Sequence, residues 1–276
     1  MKPEKILMCR PDYFEVNYSG NEFMKDNIGK VDKNSALKQW EDLKSVYESL
    51  GFEVILIPPG EGLVDMVFTA NQSLPFVDKN GNKSVILSKM KNEQRKEEVR
   101  HFRKFYENLG YRVLELPGDV EYFESMGDCV IDFQRNILFG GYGFRTQEIT
   151  YDYISNYTDF KVVKLKLINP FLYHLDTCLS VLNSETAVIA ENAFDEDSLK
   201  ELRSSFSKVI TADTDENLKY FVCNCHCPDG KNVIVQRGSR IFSKDIKESG
   251  FSLIETETTE FIKSGGSVFC MKLMFY

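Results

Sequence analysis

One phrase of sequence occurs three times in this chain and limits the folds open to it. A helical segment ends in Leu-Gly or Ser-Gly, and an aromatic residue then begins a strand, as in "LGFEVILIP", "LGYRVLELP" and "SGFSLIETE". Gly51, Gly110 and Gly250 are expected to end these helices, because glycine adopts the left-handed conformation of a helix terminus without steric cost. A supersecondary unit used repeatedly predicts a repeat architecture.

Apolar periodicity locates the elements around these turns. Apolar residues that recur every three or four positions predict helices over 34–51, 97–110, 195–207 and 242–250. Short runs rich in β-branched and aromatic residues predict strands over 5–10, 52–58, 65–70, 84–89, 111–117, 129–133, 136–141, 161–167, 175–182, 186–190, 208–212, 232–237, 251–257 and 268–276. Strands that alternate with helices in this way predict the α/β class.

Polar side chains stand at the head of five of the predicted strand regions. They are Asp65, Glu124, Asp176, Asn224 and Cys270, at spacings of 59, 52, 48 and 46 residues. Repeats that cannot each bury a core are expected to close on one another, so that equivalent strand ends meet at a central axis. No linker rich in Pro, Gly or Ser divides the chain, and residues 1–276 are interpreted as one domain.

Charge and composition exclude several classes of function. A net charge of -8 and a pI near 5.1 argue against nucleic-acid binding, which needs a basic face. The basic segment 89–104 is interrupted by glutamates and is interpreted as the solvated face of a helix. No apolar run approaches the roughly 18 residues of a membrane span, and the N-terminus has no signal-peptide pattern. Seven cysteines without an export signal favour reduced thiols and a cytoplasmic protein.

The stretch "LYHLDTCLSVL" at 172–182 places a histidine and an aspartate inside an apolar run. An unpaired buried carboxylate costs several kcal/mol, so Asp176 requires a compensating partner. Because side chains alternate along a strand, His174 and Asp176 are expected on one face. A lone buried histidine is more often a satisfied core residue, but the shared face favours a functional pair.

Six motifs, in order along the chain, resemble the guanidino-group-modifying superfamily. They are "RPDYFEV", "DMVFTAN", "FESMGD", "GYGFRT", "YHLDT" and "SGGSVFCMKL". This superfamily includes arginine deiminase, dimethylarginine dimethylaminohydrolase, the amidinotransferases and arginine dihydrolase. The resemblance implies the pentein fold, a five-bladed α/β-propeller of ββαβ repeats with pseudo-fivefold symmetry. "PDYFEVNY" and the asparagine of "DMVFTAN" look most like the arginine dihydrolases.

The same resemblance implies the catalytic residues. Attack on a guanidinium carbon requires a strong nucleophile, and Cys270 matches that position in the family. His174 matches the residue that acts as general acid and then as general base. Glu124 matches the family's catalytic acid, which orients the histidine. The structural alternatives are a buried strand cysteine and a core histidine.

The motif "FESMGD" departs from the family pattern. Ser125 and Met126 stand where the family usually has two glycines, which puts the local backbone path in question. Asp128 is the competing candidate for the catalytic acid. We expect Glu124 to take part in the chemistry and Asp128 to have a structural role.

Carboxylates can hold the planar guanidinium fork, and arginines can hold the α-carboxylate of an amino acid. The substrate-binding positions that the resemblance implies are Asp65, Asp176, Asn71, Arg145, Arg95 and Asn21. The two aspartates would clamp the guanidinium, the two arginines would bind the α-carboxylate, and the two asparagines would make polar contacts. The structural alternatives are a turn or cap aspartate at position 65, a loop arginine at 145 and a surface-helix arginine at 95.

The resemblance implies a hydrolase of arginine or a close derivative that works through a covalent Cys270 intermediate, with no cofactor and no metal. Arginine dihydrolase activity, which yields ornithine, ammonia and carbon dioxide, is the leading hypothesis, and Asn71 matches the residue associated with its second hydrolysis. Dimethylarginine dimethylaminohydrolase, and then arginine deiminase or amidinotransferase, are the alternatives. A non-catalytic binding protein is disfavoured because the site residues are retained. The expected partner is a small guanidino substrate, and the oligomeric state is left open.

The segment "CNCHC" raises the question of a metal site. Structural zinc sites usually pair their ligands as C-x2-C in two separate pairs, and the sequence has no second pair. The segment is predicted to be a strand with Cys223, Cys225 and Cys227 on one face and His226 on the other. An ordinary strand with small side chains is the favoured interpretation.

Overall fold

A computed structural model describes residues 2–276, and the predicted α/β class is confirmed. Within these residues the strands are β1 (Lys5–Cys9), β2 (Glu53–Ile57), β3 (Ser73–Val77), β4 (Lys83–Leu87), β5 (Arg112–Leu114), β6 (Cys129–Asp132), β7 (Ile137–Tyr142), β8 (Lys161–Lys166), β9 (Leu179–Val181), β10 (Thr186–Ile189), β11 (Lys208–Thr211), β12 (Asn232–Gln236), β13 (Ser252–Thr256) and β14 (Leu273–Phe275). The helices are α1 (Glu22–Lys25), α2 (Lys33–Ser49), α3 (Glu98–Asn108), α4 (Thr150–Tyr157), α5 (Glu196–Ser205), α6 (Thr214–Tyr220), α7 (Ile241–Glu248) and α8 (Thr259–Ile262). None of the helices in this part of the chain is long and apolar enough to cross a membrane.

Five small sheets repeat one local topology within residues 2–276. Four of them have three strands, in the orders β14-β1-β2, β3-β4-β5, β6-β7-β8 and β9-β10-β11, with an antiparallel pair first and a parallel strand last. In the fifth sheet, β12 and β13 are parallel. An isolated antiparallel bridge between His226 and Ile234 takes the place of its first strand. In every sheet a helix connects the two parallel strands.

The two ends of the chain meet in one sheet. β14, near the C-terminus, pairs antiparallel with β1, near the N-terminus, and Lys5 lies opposite Phe275. The last strand of the chain therefore completes the sheet that the first strand begins.

The repeated glycines end their helices as predicted. Gly51, Gly110 and Gly250 follow α2, α3 and α7 with φ angles of 88°, 75° and 87°. No heavy atom lies within 4 Å of a Cβ built at any of the three. Glycine is therefore required there by the backbone conformation and not by close packing.

Each long helix packs on the sheet of its own repeat. Trp40 and Leu43 of α2 are buried in one cluster with Ile6 of β1, and Phe102 of α3 is buried in another with Val85 of β4. The four helices predicted from periodicity are confirmed as α2, α3, α5 and α7. Packing of an amphipathic face on a strand pair is what stabilises helices of this length.

Four of the predicted strands are shorter than expected or absent. Residues 65–70 form turns, and β3 begins only at Ser73. Leu175–Thr177 is a single 3-10 turn before β9, and the C-terminal strand is reduced to β14. The "CNCHC" segment begins in the 3-10 turn Val222–Asn224, so its predicted alternation along a strand is wrong.

These segments are not strands because their backbone groups bond to other repeats. The amide of Ala70 donates to the carbonyl of Cys270, and the amide of Met126 donates to the carbonyl of Ala70. The amide of Phe269 donates in the same way to the carbonyl of Asn224. A backbone that is satisfied by turns from neighbouring repeats has no ladder partner to extend a strand.

The basic segment 89–104 is only partly a helix. α3 begins at Glu98, and Arg95 lies before it in the 3-10 turn Glu93–Arg95 with 5% of its surface exposed. The prediction of a solvated helix face is therefore wrong for Arg95, which is buried because Glu98 pairs with it.

Candidate active site

The polar residues of the five repeats converge through turns and not through strand ends. Glu124 directly precedes the 3-10 turn Ser125–Gly127, and Asp176 and Asn224 lie inside such turns. Asn224 Nδ2 donates to the main-chain oxygen of Asp176 over 2.9 Å, which joins two of the turns. The turns place side chains from distant parts of the sequence around one buried point.

The expectation that His174 and Asp176 share a strand face is wrong. His174 is extended, but the three residues after it form a turn that redirects the chain. His174 lines a small cavity, whereas Asp176 is fully buried and reaches the thiol of Cys270. Asp176 is therefore connected to the site through the Cys270 thiol and does not line the cavity.

Cys270 lies in a tight polar cradle. Its Sγ is 3.0 Å from Asp176 Oδ2, to which the thiol donates, and Asn224 Nδ2 donates to Sγ over 3.2 Å. Asn224 Oδ1 accepts from the main-chain amides of Ser267 and Cys270 over 3.1 and 3.3 Å. Burial, reinforced by the charge of Asp176, raises the pKa of the Cys270 thiol well above its ordinary value. Burial also raises the pKa of Asp176 to about 7.

His174 and Glu124 form a buried pair. His174 Nε2 lies 2.8 Å from Glu124 Oε2, which also accepts from Arg145 Nη1 over 3.1 Å. Burial alone would raise the pKa of Glu124, but the Arg145 guanidinium and the hydrogen bond from His174 outweigh it and hold that pKa well below its usual range. An ionised carboxylate can only accept, so Nε2 carries the proton and Nδ1 is the ring nitrogen available for proton transfer.

Asp128 holds the segments that carry both residues of this pair through hydrogen bonds. Its Oδ1 accepts from the amide of Leu175 over 3.1 Å, next to His174. Its Oδ2 accepts from the Thr146 hydroxyl over 2.7 Å, and Thr146 Oγ1 accepts from the amide of Glu124 over 3.2 Å. These bonds position the histidine and the glutamate without placing Asp128 in the cavity lining.

The departure from two glycines has a visible backbone consequence. Ser125 has a φ of 41°, in the left-handed region that favours glycine. Its side chain is held by Ser88, with the two Oγ atoms 2.5 Å apart, and Ser88 Oγ also donates to the carbonyl of Asn71. Serine therefore stands here in a conformation that would be less strained for glycine.

Both carboxylate oxygens of Asp65 accept hydrogen bonds from hydroxyl groups. Ser264 Oγ donates to Oδ1 over 3.0 Å, and Tyr18 OH donates to Oδ2 over 2.5 Å. Asp65 is 1% exposed and lines the same cavity as Cys270. Asp65 therefore lies in a turn, as in the structural alternative, and this turn is buried at the cavity.

Arg95 also lines this cavity and bonds to three neighbouring residues. Its guanidinium pairs with Glu98 over 3.0 Å and donates to the main-chain oxygen of Asp65 over 3.2 Å. Arg95 Nη1 also donates to Asn71 Oδ1 over 3.0 Å. This bond fixes the amide of Asn71 so that its Nδ2 is the end left for a ligand.

Arg145 and Asn21 lie where a segment near the N-terminus covers the cavity. Arg145 Nη2 donates to the carbonyl of Gly20 over 2.8 Å, and its guanidinium carbon lies 4.7 Å from the centroid of the Tyr173 ring. Asn21 Nδ2 donates to Tyr173 OH and to the carbonyl of Ser264 over 3.1 and 2.9 Å. The covering segment is therefore held by hydrogen bonds at the mouth of the cavity.

The cavity itself is small. Its lining includes Tyr18, Asp65, Asn71, Tyr173, His174 and Cys270, and its free space is about 20 Å³, enough for about one water molecule. Asn71 Nδ2 and Asp176 Oδ1 are buried and have no hydrogen-bond partner among residues 2–276. Buried polar atoms are nearly always satisfied in native proteins, so a free donor and a free acceptor next to a thiol indicate a polar ligand.

Several residues of the site were not predicted from the sequence. Tyr18 and Ser264 hold Asp65, Tyr173 holds Asn21, and Asn224 holds the nucleophile. Asn224 left a signal in its spacing, which places it in the series of polar repeat residues, and the other three lie inside motifs quoted for the resemblance, "PDYFEVNY", "YHLDT" and "SGGSVFCMKL". The two tyrosines and the serine lie in loops with no periodicity.

The three cysteines and the histidine of the "CNCHC" segment do not line this cavity, whereas its Asn224 bonds to Cys270. Cys223 and Cys225 are fully buried, and His226 Nδ1 lies 3.0 Å from Tyr47 OH. Burial holds the pKa of His226 well below its ordinary value. Across residues 2–276, no three or more His, Cys, Asp or Glu side chains are grouped so that they could hold a metal ion.

Comparison with known proteins gives the chain a family. A family model described as N,N dimethylarginine dimethylhydrolase, eukaryotic, matches residues 10–275. The chain belongs to this family. The resemblance to the guanidino-group-modifying superfamily, inferred from six motifs, is thereby confirmed.

Relatives of this dimethylarginine dimethylhydrolase family member are named for different activities. The chain is 35% identical over 271 residues to the bifunctional arginine dihydrolase/ornithine cyclodeaminase AgrE of Nostoc sp. The alignment covers 98% of this chain and 37% of AgrE. The chain is also 31% identical over 274 residues to the N(G),N(G)-dimethylarginine dimethylaminohydrolase of Mycobacterium tuberculosis. That alignment covers 99% of this chain and 86% of the relative. The substrate-bound N-terminal domain of ArgZ, an arginine dihydrolase in Cyanobacteria, matches with a TM-score of 0.91 at 34% identity, over 98% of this chain and 97% of that domain. The chain therefore spans little more than a third of the length of AgrE and nearly all of the ArgZ domain.

Proposed function

We propose that this chain is a cofactor-independent hydrolase that cleaves the guanidine C–N bonds of arginine through a covalent adduct on Cys270. The proposed reaction joins arginine and two waters and releases ornithine, two ammonia molecules and carbon dioxide. One observation carries the proposal: beside the thiol and the His174–Glu124 pair, one acceptor and one donor are buried without partners. A guanidinium ion supplies N–H donors for the acceptor, Asp176 Oδ1, and the ureido oxygen formed from it suits the donor, Asn71 Nδ2.

Substrate binding and activation of the nucleophile are linked in this proposal. Asp65 and Asp176 clamp the guanidinium from two sides, which places a positive charge beside Cys270. Because burial and a neighbouring carboxylate keep the thiol protonated in the free protein, that positive charge lowers the pKa of the thiol. His174 Nδ1 takes the proton, and the thiolate forms when a substrate is present to react with it.

The following steps need one proton carrier. Thiolate attack on the guanidinium carbon gives a tetrahedral adduct, and protonated His174 gives its proton to the departing ammonia. The neutral imidazole then removes a proton from water as the water attacks the amidino-thioether. Glu124 stays ionised throughout and stabilises the imidazolium each time it forms.

Asn71 supports hydrolysis that proceeds beyond citrulline. A guanidinium offers no acceptor to an amide N–H, so Asn71 Nδ2 has no partner in the first substrate. After one ammonia is lost and water is added, the carbon bears an oxygen that can accept from Nδ2. Arg95 keeps the amide in this orientation through its bond to Asn71 Oδ1.

We propose that Arg145, Arg95 and Asn21 select a free amino acid. Arg145 lines the mouth of the cavity and can exchange the carbonyl of Gly20 for an α-carboxylate. Arg95 adds positive charge from the inner wall, and Asn21 holds the covering segment. Since the cavity has room for about one water molecule, this segment has to move before arginine enters.

Dimethylarginine dimethylaminohydrolase activity is the alternative function. The family model and the relative from Mycobacterium tuberculosis favour it by name. Methylation removes two N–H donors from one distal nitrogen, so fewer groups remain to satisfy two carboxylates. Polar groups dominate the wall around Cys270, and this favours the unmethylated substrate.

The proposal includes the arrangement of the whole chain. The five sheets form five blades of a propeller around one axis, and residues 1–276 form a single catalytic domain. The shared topology of the sheets and the pairing of β14 with β1 support this arrangement. All seven cysteines are free, which supports a reducing compartment such as the cytoplasm.

Intact-protein mass spectrometry during turnover tests the covalent step. Arginine should add the mass of arginine less one ammonia to the wild-type chain, because the ornithine part stays on the adduct, and Cys270→Ser should remove this addition. Cys129→Ser, a change at another buried free cysteine, is the matched control and should keep the adduct. An adduct that persists in Cys270→Ser would contradict the assignment of the nucleophile.

A further inference from the structure

A second cavity, of about 390 Å³, is separate from the candidate active site. The two cavities share no lining residue. Met126, His226 and Lys272 line the second cavity, and each stands two positions after a site residue in the sequence. The same segments thus present one set of side chains to the active site and another set to this cavity. Its size is within the range of small-molecule sites.

Lys272 is the unusual residue of this cavity. It is 2% exposed, and its ammonium makes no hydrogen bond or ion pair with any residue from 2 to 276. Its Nζ lies 3.2 Å from the centroid of the Phe269 ring, a cation–π contact that compensates only part of the lost hydration. Removing an ammonium from water costs several kcal/mol unless its N–H groups find acceptors.

The other charged groups that line the cavity are already satisfied. Asp132 pairs with Arg135 over 2.5 Å, and the carboxylate of Asp229 accepts from the amide of Asn232 over 2.7 Å. Lys2 is exposed, and its Nζ donates to the carbonyl of Pro228 over 2.6 Å. Among the residues that line the cavity, Lys272 is therefore the buried cation without a hydrogen-bonding or ionic partner.

We propose that this second cavity binds a small monocarboxylate with an apolar body, whose carboxylate accepts hydrogen bonds from the Lys272 ammonium. Its one buried cation matches one negative charge. Phe269, Met274 and Val181 offer apolar contacts to the rest of the ligand. A carboxylate supplies the acceptors that the protein itself does not place near Nζ.

The site does not depend on the proposed hydrolysis. Binding there is measured in Cys270→Ser protein, in which the candidate nucleophile is absent. Burial lowers the pKa of Lys272 to about 7, and the charge of Asp176 opposes that shift. A bound carboxylate would stabilise the charged ammonium in the same way, which links this cavity electrostatically to the active site.

Isothermal titration calorimetry with hexanoate tests the proposal, and 1-hexanol is the neutral comparison. In the Cys270→Ser background, Lys272→Met removes the ammonium and keeps the length of the stem. Lys244→Met is the matched control, because it removes the same charge from an exposed side chain of α7. Val181→Phe fills the cavity from β9 and tests the same site without changing charge. Loss of an unpaired buried ammonium should not prevent folding, which thermal unfolding checks for each variant.

Hexanoate is expected to bind with a dissociation constant of about 1 mM or lower, and 1-hexanol much more weakly. Lys272→Met and Val181→Phe should each weaken hexanoate binding about tenfold or more, and Lys244→Met should leave it unchanged. No heat with hexanoate, equal binding of 1-hexanol, or unchanged binding in Lys272→Met would each overturn the proposal. A failure of arginine turnover in the wild-type chain would leave these binding results unaffected.

Discussion

At the scale of single residues, one asparagine holds the candidate nucleophile in place. Asn224 donates to the sulfur of Cys270 and accepts from three main-chain amides of the segment that carries it. A donor near sulfur favours the thiolate, and Asp176 on the other side disfavours it. The reactivity of Cys270 therefore depends on the balance between an amide and a carboxylate.

Replacing Asn224 by aspartate should shift this balance toward the thiol. The change preserves the shape of the side chain but places a second acceptor about where Nδ2 now lies, 3.2 Å from Sγ. We expect the rate at which iodoacetamide alkylates Cys270, at one mildly alkaline pH, to fall about tenfold or more. Peptide mass spectrometry reports the rate at each cysteine, and the partly exposed Cys227 is an internal control. An unchanged rate at Cys270 would show that Asn224 does not tune the thiol.

The burial of Asp128 predicts how the free energy of unfolding depends on pH. Burial raises its pKa from 3.8 to about 7, so the folded protein holds a proton that the unfolded chain releases. Its contribution to stability is therefore complete below about pH 4 and is lost as the pH rises toward about 7, at no more than about 1.4 kcal/mol per pH unit.

The comparison that tests this is the free energy of urea unfolding for the wild type and for Asp128→Asn. The wild-type value minus the variant value should fall as the pH rises from about 4 to about 7 and then stay constant. The other titrating groups are common to both proteins and cancel in the difference. A difference that rises with pH over this range would mean that Asp128 is ionised in the folded protein.

At the scale of elements, the helix-to-strand turn is the feature most fully specified by the sequence. Gly110 follows α3 with a φ of 75°, whereas Gly118 has an ordinary φ and the same open surroundings. Gly110→Ala should therefore cost about 1 kcal/mol of unfolding free energy, because alanine is strained in the left-handed region. Gly118→Ala should be neutral or slightly stabilising, since it only restricts the unfolded chain. Equal effects of the two changes in urea unfolding would contradict this account of the turn.

Elements with local signals were predicted, and elements that depend on distant partners were not. α2 and α5 have clear apolar periodicity and aspartate N-caps at Asp32 and Asp195, and both were located from the sequence. The turns at 65–70 and 175–177 read as strands because they are apolar, but their amides and carbonyls bond to other repeats. Sequence periodicity contains no information about those partners.

The short helices show a second limit of the same kind. α4, with the sequence "TYDYISNY", is rich in tyrosine and β-branched residues, which are poor helix formers, and no side chain caps its start. It is helical because Tyr151 and Ile154 are buried against the sheet of β7 and β8. Such tertiary stabilisation becomes visible only when the fold is known.

Some features of the candidate site could be inferred from the sequence, and others could not. The charged residues of the site were named from the six motifs of the resemblance, and their roles in guanidinium chemistry stay a prediction. The free Nδ2 of Asn71, the hydroxyls on Asp65 and the small size of the cavity could not be named in this way, since each depends on side-chain geometry set by residues far apart in sequence.

At the scale of the whole molecule, the site exists only when all five repeats are present. Asp65, Glu124, Asp176, Asn224 and Cys270 come one from each repeat, and β14 returns to pair with β1. The candidate nucleophile lies close to the C-terminal strand, and the residues that line its cavity come from the first half of the chain as well as the second. Folding of the full chain is therefore a precondition for any activity.

The central claim is that the chain converts arginine to ornithine through Cys270. The most direct measurement is mass spectrometry of the products after the purified chain is incubated separately with arginine and with asymmetric dimethylarginine, alongside Cys270→Ser. The account predicts ornithine, with two ammonia per arginine, from the wild type and none from the variant. Citrulline from dimethylarginine alone, no product from either substrate, or ornithine undiminished in the variant would contradict it.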